Sequence, residues 1–301
     1  MRAIIQLLRP SQWIKNMFVF LPLFFDKHLG DFDCLITALT VFVAYSFAAS
    51  SIYCFNDIWD IEQDKKHPLK SQRPVASGAV SKQVAYSLTA LLLILSVLIT
   101  SLFLSKECLY TLTFYFLLNL LYCIRLKQIV LLDVFIIAIG FVLRVLIGGQ
   151  ATGIWISHWI ILMTFLLALF LALAKRRDDV VIYEEKRLET RKNIKYYNLD
   201  FMNQVISIIA SVIIVCYIMY SVSEEVIERM GTSYLYITSI FVLAGIIRYL
   251  QITIVNVKSG SPTKVLMTDS FTQICLVGWL ITFFLILYYD KLTLFLRRVL
   301  V

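Results

Sequence analysis

Long apolar stretches alternate with short polar ones along this chain, and within the apolar stretches the hydrophobic residues run continuously. Nine such runs lie at about 16–29, 33–55, 83–104, 107–124, 129–149, 154–174, 203–222, 234–252 and 270–289, most of them reaching the roughly 18–20 residues that a helix needs to cross a bilayer. The first is the shortest and is interrupted by Pro22. In lipid only helices or a closed barrel satisfy the backbone, and barrel strands would alternate with period two. The pattern therefore predicts an all-α integral membrane protein with nine transmembrane helices. No linker or soluble module breaks the series, so residues 1–301 read as one transmembrane domain. Met1–Asn16 is basic but is not followed by a small-residue cleavage site, so no signal peptide is expected.

Two polar segments stand out between the spans. Asn56–Pro74 (NDIWDIEQDKKHPLKSQRP) follows the second, and Lys175–Asp200 follows the sixth. Lys and Arg fall unevenly about the nine spans: twenty lie on the side of the N-terminus and both polar loops, and six on the other. The positive-inside rule places the N-terminus and both loops in the cytoplasm, with the chain in the cell (inner) membrane.

Composition changes this picture little. The chain is 60% hydrophobic and carries a net charge of +8. In a membrane protein that balance speaks for orientation and anionic ligands, not nucleic acid. The six cysteines are scattered singly, with no CxxC or Cys/His cluster, and read as small buried hydrophobes. His28, His67 and His158 show no ligand spacing, so no zinc site is expected.

Candidate chemistry concentrates at Asn56–Pro74. On a continuing helix Asp57, Asp60 and Asp64 share one face and repel one another unless a cation sits among them. Magnesium takes hard oxygen ligands and shares its shell between carboxylates and substrate phosphate. Asn56, Asp57, Asp60 and Asp64 are thus candidate metal ligands, and Lys70 and Arg73 candidate partners of phosphate. The competing reading is a solvated loop whose acids pair with local lysines. Inside the spans, Asp133 and Arg144 stand eleven residues apart, about 16 Å along a helix, too far to pair. Intramembrane charges are functional candidates, although Arg144 and Arg248 could equally snorkel to an interface. Lys175, Arg176 and Arg177 end the sixth span, where bases also complement a helix C-terminus. Lys15 and Asn16 open the first span behind Trp13, an interface belt residue, and Tyr122 reads as groove lining.

These residues carry a resemblance. NDIWDIEQDKKHP followed by Lys70 and Arg73-Pro74-Val75-Ala76-Ser77-Gly78 resembles the first aspartate-rich motif of the UbiA superfamily of membrane prenyltransferases. Leu8–Asn16 (LRPSQWIKN), Leu132-Asp133-Val134, Leu143-Arg144, the Lys175–Arg177 cluster and Arg248-Tyr249 are similar to the decaprenyl-phosphate phosphoribosyltransferase branch of that superfamily. The resemblance implies a UbiA-like bundle with cytoplasmic polar loops after helices 2 and 6. It also implies a Mg²⁺-dependent transfer of 5-phosphoribose from phosphoribosyl pyrophosphate (PRPP) to a polyprenyl phosphate of decaprenyl type, in cell-wall arabinose donor synthesis. It implies catalytic roles for Asp57, Asp60, Lys70 and Arg73. Substrate contacts would come from Lys15, Asn16, Asn56, Tyr122, Asp133, Arg144, Lys175, Arg176, Asp179, Arg191 and Arg248. A homo-oligomer is left open. The superfamily's second DxxxD motif is missing: Asp178 and Asp179 are adjacent and preceded by three bases. That departure speaks against the alternative of a conventional prenyl-diphosphate donor. A non-enzymatic lipid transporter or binding protein is the remaining alternative. Its polar groups would be expected at mid-membrane, not at one edge.

Overall fold

A computed structural model of the chain describes residues 2–66, 70–186, 193–256 and 262–299. All regular structure among them is helical. The chain divides into two compact units, residues 1–165 and 166–301.

The first unit holds α1 (Arg2–Leu8), a 3₁₀ segment (Pro10–Phe20), α2 (Leu21–Phe25), α3 (Phe32–Trp59), α4 (Ile61–Lys66), α5 (Lys82–Phe103), α6 (Lys106–Ile124), α7 (Leu132–Thr152) and the start of α8 (His158–Lys186). The second holds the rest of α8, then α9 (Leu199–Val222), α10 (Glu224–Met230), α11 (Ser239–Ile254), α12 (Pro262–Thr268) and α13 (Ser270–Val299). Eight helical stretches among the described residues are long and apolar enough to cross a membrane. The segment expected as the first span is instead the 3₁₀ stretch followed by the short α2.

Polar residues at the span ends set where helices begin. Asp31 Oδ1 accepts the Asp33 and Cys34 N–H groups at the start of α3, and Ser81, Ser105 and Asn198 open α5, α6 and α9 in the same way. Gly153 (φ 68°) ends α7 in the left-handed conformation that glycine adopts without penalty.

α3 is the spine of the first unit. Its buried face carries small residues, among them Ala38, Ala44, Ser46, Ala48, Ser50 and Ser51. Small side chains let helices approach closely in a bilayer, where apolar burial alone gives no drive for association. The serines hydrogen-bond neighbouring segments: Ser50 Oγ donates to Leu8 O at 2.8 Å and Ser51 Oγ to Thr89 O at 2.8 Å. From α5, Ser96 Oγ donates to Ala44 O at 2.6 Å.

The 3₁₀ segment runs antiparallel to α3. Arg9 meets Asp57, Trp13 Nε1 donates to Ser50 Oγ, and Asn16 Nδ2 donates to Ser46 Oγ. Seven residues from Arg9 to Asn16 thus match eleven residues of α3, about 16 Å of α-helix. At a 3₁₀ rise of about 2.0 Å seven residues cover about 14 Å, whereas as an α-helix they would cover only about 10 Å. The segment is stretched because its polar partners on α3 demand that reach. Its other side leans on α7, where an added Cβ at Gly148 would run into the Val19 carbonyl oxygen.

In the second unit, α9, the 3₁₀ turn Tyr234–Thr238 that leads into α11, and α13 are tied by a hydrogen-bonded relay. Trp279 Nε1 donates to Tyr217 Oη at 2.6 Å, and Tyr217 Oη shares a hydrogen bond of 2.7 Å with Thr238 Oγ1. An added Cβ at Gly278 would press on the Phe241 ring. All six cysteines are free thiols. They do not all stand alone as the sequence spacing suggested: Cys34 lies close to His28 and Asp31, because the turn before α3 brings residues three apart together.

Gly148 and Gly140 separate close approach from mere helix propensity. Gly148→Ala forces a Cβ against backbone, which cannot rotate away, and should lower the melting temperature in detergent sharply, for a loss of roughly 1–3 kcal/mol or more. Gly140→Ala meets only ordinary contacts, Arg144 Nη1 at 3.5 Å and Tyr115 at 4.0 Å, and should leave the melt unchanged or slightly raised.

Candidate functional site

Asp57, Asp60 and Asp64 do come together, but not on one helix, while Glu62 stays exposed and pairs with Lys65. α3 stops at Trp59. Asp60 leaves the helical path (φ −90°, ψ 5°), and its carbonyl accepts the Gln63 and Asp64 N–H groups that start α4. The break turns α4 back, so that Asp57 and Asp64 reach the same guanidinium. Arg73 Nη1 lies 2.7 Å from Asp64 Oδ2 and 3.3 Å from Asp57 Oδ1. Asp57 Oδ1 also accepts from Arg9 Nη2 at 2.5 Å. Lys127 Nζ, from the 3₁₀ turn Leu126–Gln128, bonds both oxygens of Asp60 at 2.6 and 2.7 Å and Asn56 Oδ1 at 3.3 Å.

Three carboxylates are therefore matched by three side-chain cations. Arg9 and Lys127 went unrecognised in the sequence, where they counted only towards orientation. For Lys127 no local signal exists, because it comes from 67 residues away. Arg9 carries a structural mark: it is a non-glycine residue at φ 51°, ψ 57°, directly before Pro10. A left-handed residue of this kind costs on the order of 1–3 kcal/mol and persists only where its surroundings require it. Here the Arg9 guanidinium stacks over the Tyr53 ring (5.1 Å) on its way to Asp57.

The Asp57 side chain is wholly buried. Its Oδ1 takes both arginines, while Oδ2 has no hydrogen-bond partner among the described residues. Buried carboxylate oxygens rarely stay unpartnered. With Asn56 Oδ1, Asp60 and Asp64 nearby, the set is all hard oxygen and fits Mg²⁺. Lys70 is half-buried on the same loop, its carbonyl accepting the Arg73 N–H at 2.9 Å.

Other expected site residues lie elsewhere. Asn16 and Arg144 form a second buried cluster within the first unit. Arg144 Nε donates to Asn16 Oδ1 (2.8 Å), Nη1 to Gly140 O (2.6 Å) and Nη2 to Tyr115 Oη (3.1 Å). Its guanidinium also lies over the Tyr45, Tyr115 and Phe141 rings at 5.0–5.3 Å. No carboxylate is among these partners; aromatic faces and neutral oxygens hold the charge instead. Asp133 is fully buried in the first turn of α7, where a carboxylate complements the helix dipole. Tyr122 packs against the apolar cluster around Tyr45 and Leu112. Lys15 is half-buried on the 3₁₀ segment.

In the second unit, Arg176 is buried and pairs with Asp179 at 2.7 Å. Arg177 is structural: it donates to Asn203 Oδ1 and to the Thr253 carbonyl, joining α8 to α9 and capping the end of α11. Arg248 pairs with Asp269 at 2.6 Å. Its hydrogen bonds hold that carboxyl well below the usual carboxylate range, and Asp269 in turn caps Thr272 in α13. Lys175 is exposed. Arg191 lies outside the described residues.

Among the described residues the structure is all helical, with an acid-and-base cluster at the end of a long apolar helix, an arrangement suited to handling charged groups at a membrane. The UbiA prenyltransferase family model matches residues 17–274, and the chain belongs to that family. It is 32% identical to "Decaprenyl-phosphate phosphoribosyltransferase" of Mycolicibacterium smegmatis, over 96% of this chain and 93% of that protein. It is 28% identical to the protein of the same name from Corynebacterium glutamicum, over 92% of this chain and 84% of that one. Among solved structures, a UbiA homolog from Archaeoglobus fulgidus bound to GPP and Mg²⁺ superposes with a TM-score of 0.67, covering 94% of this chain and 99% of that one at 16% identity.

Arg144 offers a test of how its charge is held. Arg144→Lys keeps the charge but loses the planar fork and most of its three hydrogen bonds. It should destabilise the protein by roughly 2–4 kcal/mol, read as a lowered melting temperature in detergent. An unchanged melt would show that the hydrogen bonds contribute nothing.

Proposed function

We propose that this protein transfers the 5-phosphoribosyl group of PRPP to the phosphate of a polyprenyl phosphate, releasing pyrophosphate. The observation that carries the reading is the matched cluster of Asp57, Asp60, Asp64, Arg9, Arg73 and Lys127, in a chain whose relatives named above cover nearly its whole length.

Asn56, Asp57, Asp60 and Asp64 would hold Mg²⁺. When bound, the ion supplies a Lewis acid that offsets the charge growing on the pyrophosphate leaving group. Arg9, Arg73 and Lys127 are already at the carboxylates and can turn their N–H groups to phosphate oxygens, with Lys70 beside them. Charge-assisted bonds of this kind, strongest as the C1–O bond breaks, lower the barrier. The acceptor phosphate is anionic at neutral pH, so the chain needs no general base. The remaining task is positioning.

We further propose that Lys175, exposed at the end of the apolar part of α8, and Arg176 beside it contribute to phosphate binding. Arg177 and Arg248 serve the fold. We read the chain as one domain with nine crossings. Pro10–Phe25 reaches about 30 Å, eleven residues at a 3₁₀ rise and five at an α rise, which equals the hydrocarbon thickness. Nine crossings put the carboxylate cluster on the cytoplasmic side, where the basic residues gather.

The test is an assay of purified protein with PRPP, Mg²⁺ and polyprenyl phosphates, read by mass spectrometry of the lipid and by pyrophosphate release. Folded Asp60→Asn and Lys127→Met should each lose transfer by roughly 100-fold or more. Transfer from a prenyl diphosphate but not from PRPP would overturn the reading, as would full turnover by Asp60→Asn.

A further inference from the structure

The turn that leads into α3 gathers three ligand types at the end of that helix opposite Asp57. Lys27 adopts a left-handed conformation (φ 61°), the His28 N–H donates to Leu23 O, and the Asp31 N–H donates to His28 O, both at 3.0 Å. This winding places a nitrogen of His28, a carboxylate oxygen of Asp31 and the Sγ of Cys34 within 4.8 Å of one another. His28 Nδ1 is 3.8 Å from Asp31 Oδ2. Ligands around a tetrahedral zinc ion, at about 2.0–2.3 Å from the metal, stand roughly 3.3–3.8 Å apart. Small side-chain rotations would bring this group to that spacing.

A second observation concerns the other edge of the ring. His28 Nε2 lies 3.3 Å from Asp26 Oδ2. A carboxylate on the far nitrogen fixes the tautomer and orientation of a metal-bound histidine, and leaves the near nitrogen as a lone-pair donor. Asp31 is divided in the same manner. Its Oδ1 takes the Asp33 and Cys34 N–H groups, and its Oδ2 faces His28.

We propose that His28, Asp31 and Cys34 form a zinc-binding site, with Asp26 orienting His28. The mixed nitrogen, oxygen and sulfur set suits a borderline cation such as Zn²⁺ and not Mg²⁺. His28 and Asp31 are about half exposed, with side-chain exposures of 45% and 43%, which leaves a fourth position open to water. A bound ion would tie the turn after α2 to the first turn of α3. Asp57 lies 23 residues beyond Cys34 on α3, about 34 Å along the helix. The proposal is therefore independent of the transfer reaction.

The experiment uses the full-length protein in detergent, stripped with chelator and kept in excess Mg²⁺ to occupy the hard-oxygen cluster. Zn²⁺ is titrated by calorimetry, and Co²⁺ is followed by absorbance. The wild type is expected to take up one Zn²⁺ per chain, to melt at a higher temperature with it, and to show a thiolate-to-cobalt charge-transfer band. Cys34→Ser should abolish the band, and His28→Ala should weaken binding at least tenfold, while both variants without zinc melt as the wild type does. Absence of stoichiometric Zn²⁺ uptake would overturn the proposal, and so would uptake unchanged in both variants.

Discussion

The Asp57 carboxylate constrains more of this structure than any other group. It is wholly buried at the end of a helix suited to a membrane, and a buried charge is tolerated only when paired and hydrogen-bonded. Its partners come from opposite directions in the sequence. Arg9 arrives from the N-terminal segment and Arg73 from the loop after α4. Satisfying one oxygen thus draws the chain's first residues, the end of α3 and the polar loop to a single point. The left-handed backbone at Arg9 and the break at Asp60 both follow from that demand. Arg73 then recruits Asp64, and the same break leaves Asp60 turned to Lys127.

A second buried charge is managed differently. Arg144 has no carboxylate among its hydrogen-bond partners, and its hydrogen bonds run to Asn16, Gly140 and Tyr115 between aromatic rings. Through Asn16 it reaches Ser46, so that α7, the 3₁₀ segment and α3 share one polar layer deep in the first unit. A guanidinium spreads its charge over a plane and tolerates a π-rich setting better than an ammonium does. This layer and the Asp57 cluster hold the stretched segment at two heights. That explains why Pro10–Phe20 keeps a 3₁₀ pitch over eleven residues when such runs are uncommon beyond four.

The spans were legible in the sequence because in lipid the backbone leaves no choice but helix, and apolar length alone reports it. The 3₁₀ pitch of Pro10–Phe20 was not, since it is set by partners 30 to 48 residues away and no local period records that. The acid cluster was legible as composition and wrong in geometry: spacing by three and four implies one helical face, but Asp60 ends the helix. The cations that neutralise it were half legible. Arg73 lies in the same loop, whereas Lys127 enters through tertiary packing. Asn16 was picked out through the resemblance and Arg144 also as an intramembrane charge; in the structure the two bond each other, and Ser46, Gly140 and Tyr115 complete their network.

Under the proposed function, the balance of three acids by three bases bears on how a polyanionic donor could be accepted at all. Carboxylates alone would repel pyrophosphate, and bases alone would hold the product. A neutral cluster does neither. Each base is held by an acid that a metal ion would also suit, so a cation entering among the carboxylates would loosen the very side chains that a phosphate requires. On the proposed reading, neutralisation in the resting protein and recognition of a metal-bound donor would be two arrangements of the same six groups. The site must keep Asp57 buried for this to hold, because an exposed carboxylate would be screened by water and would not grip its arginines strongly enough to order the loop.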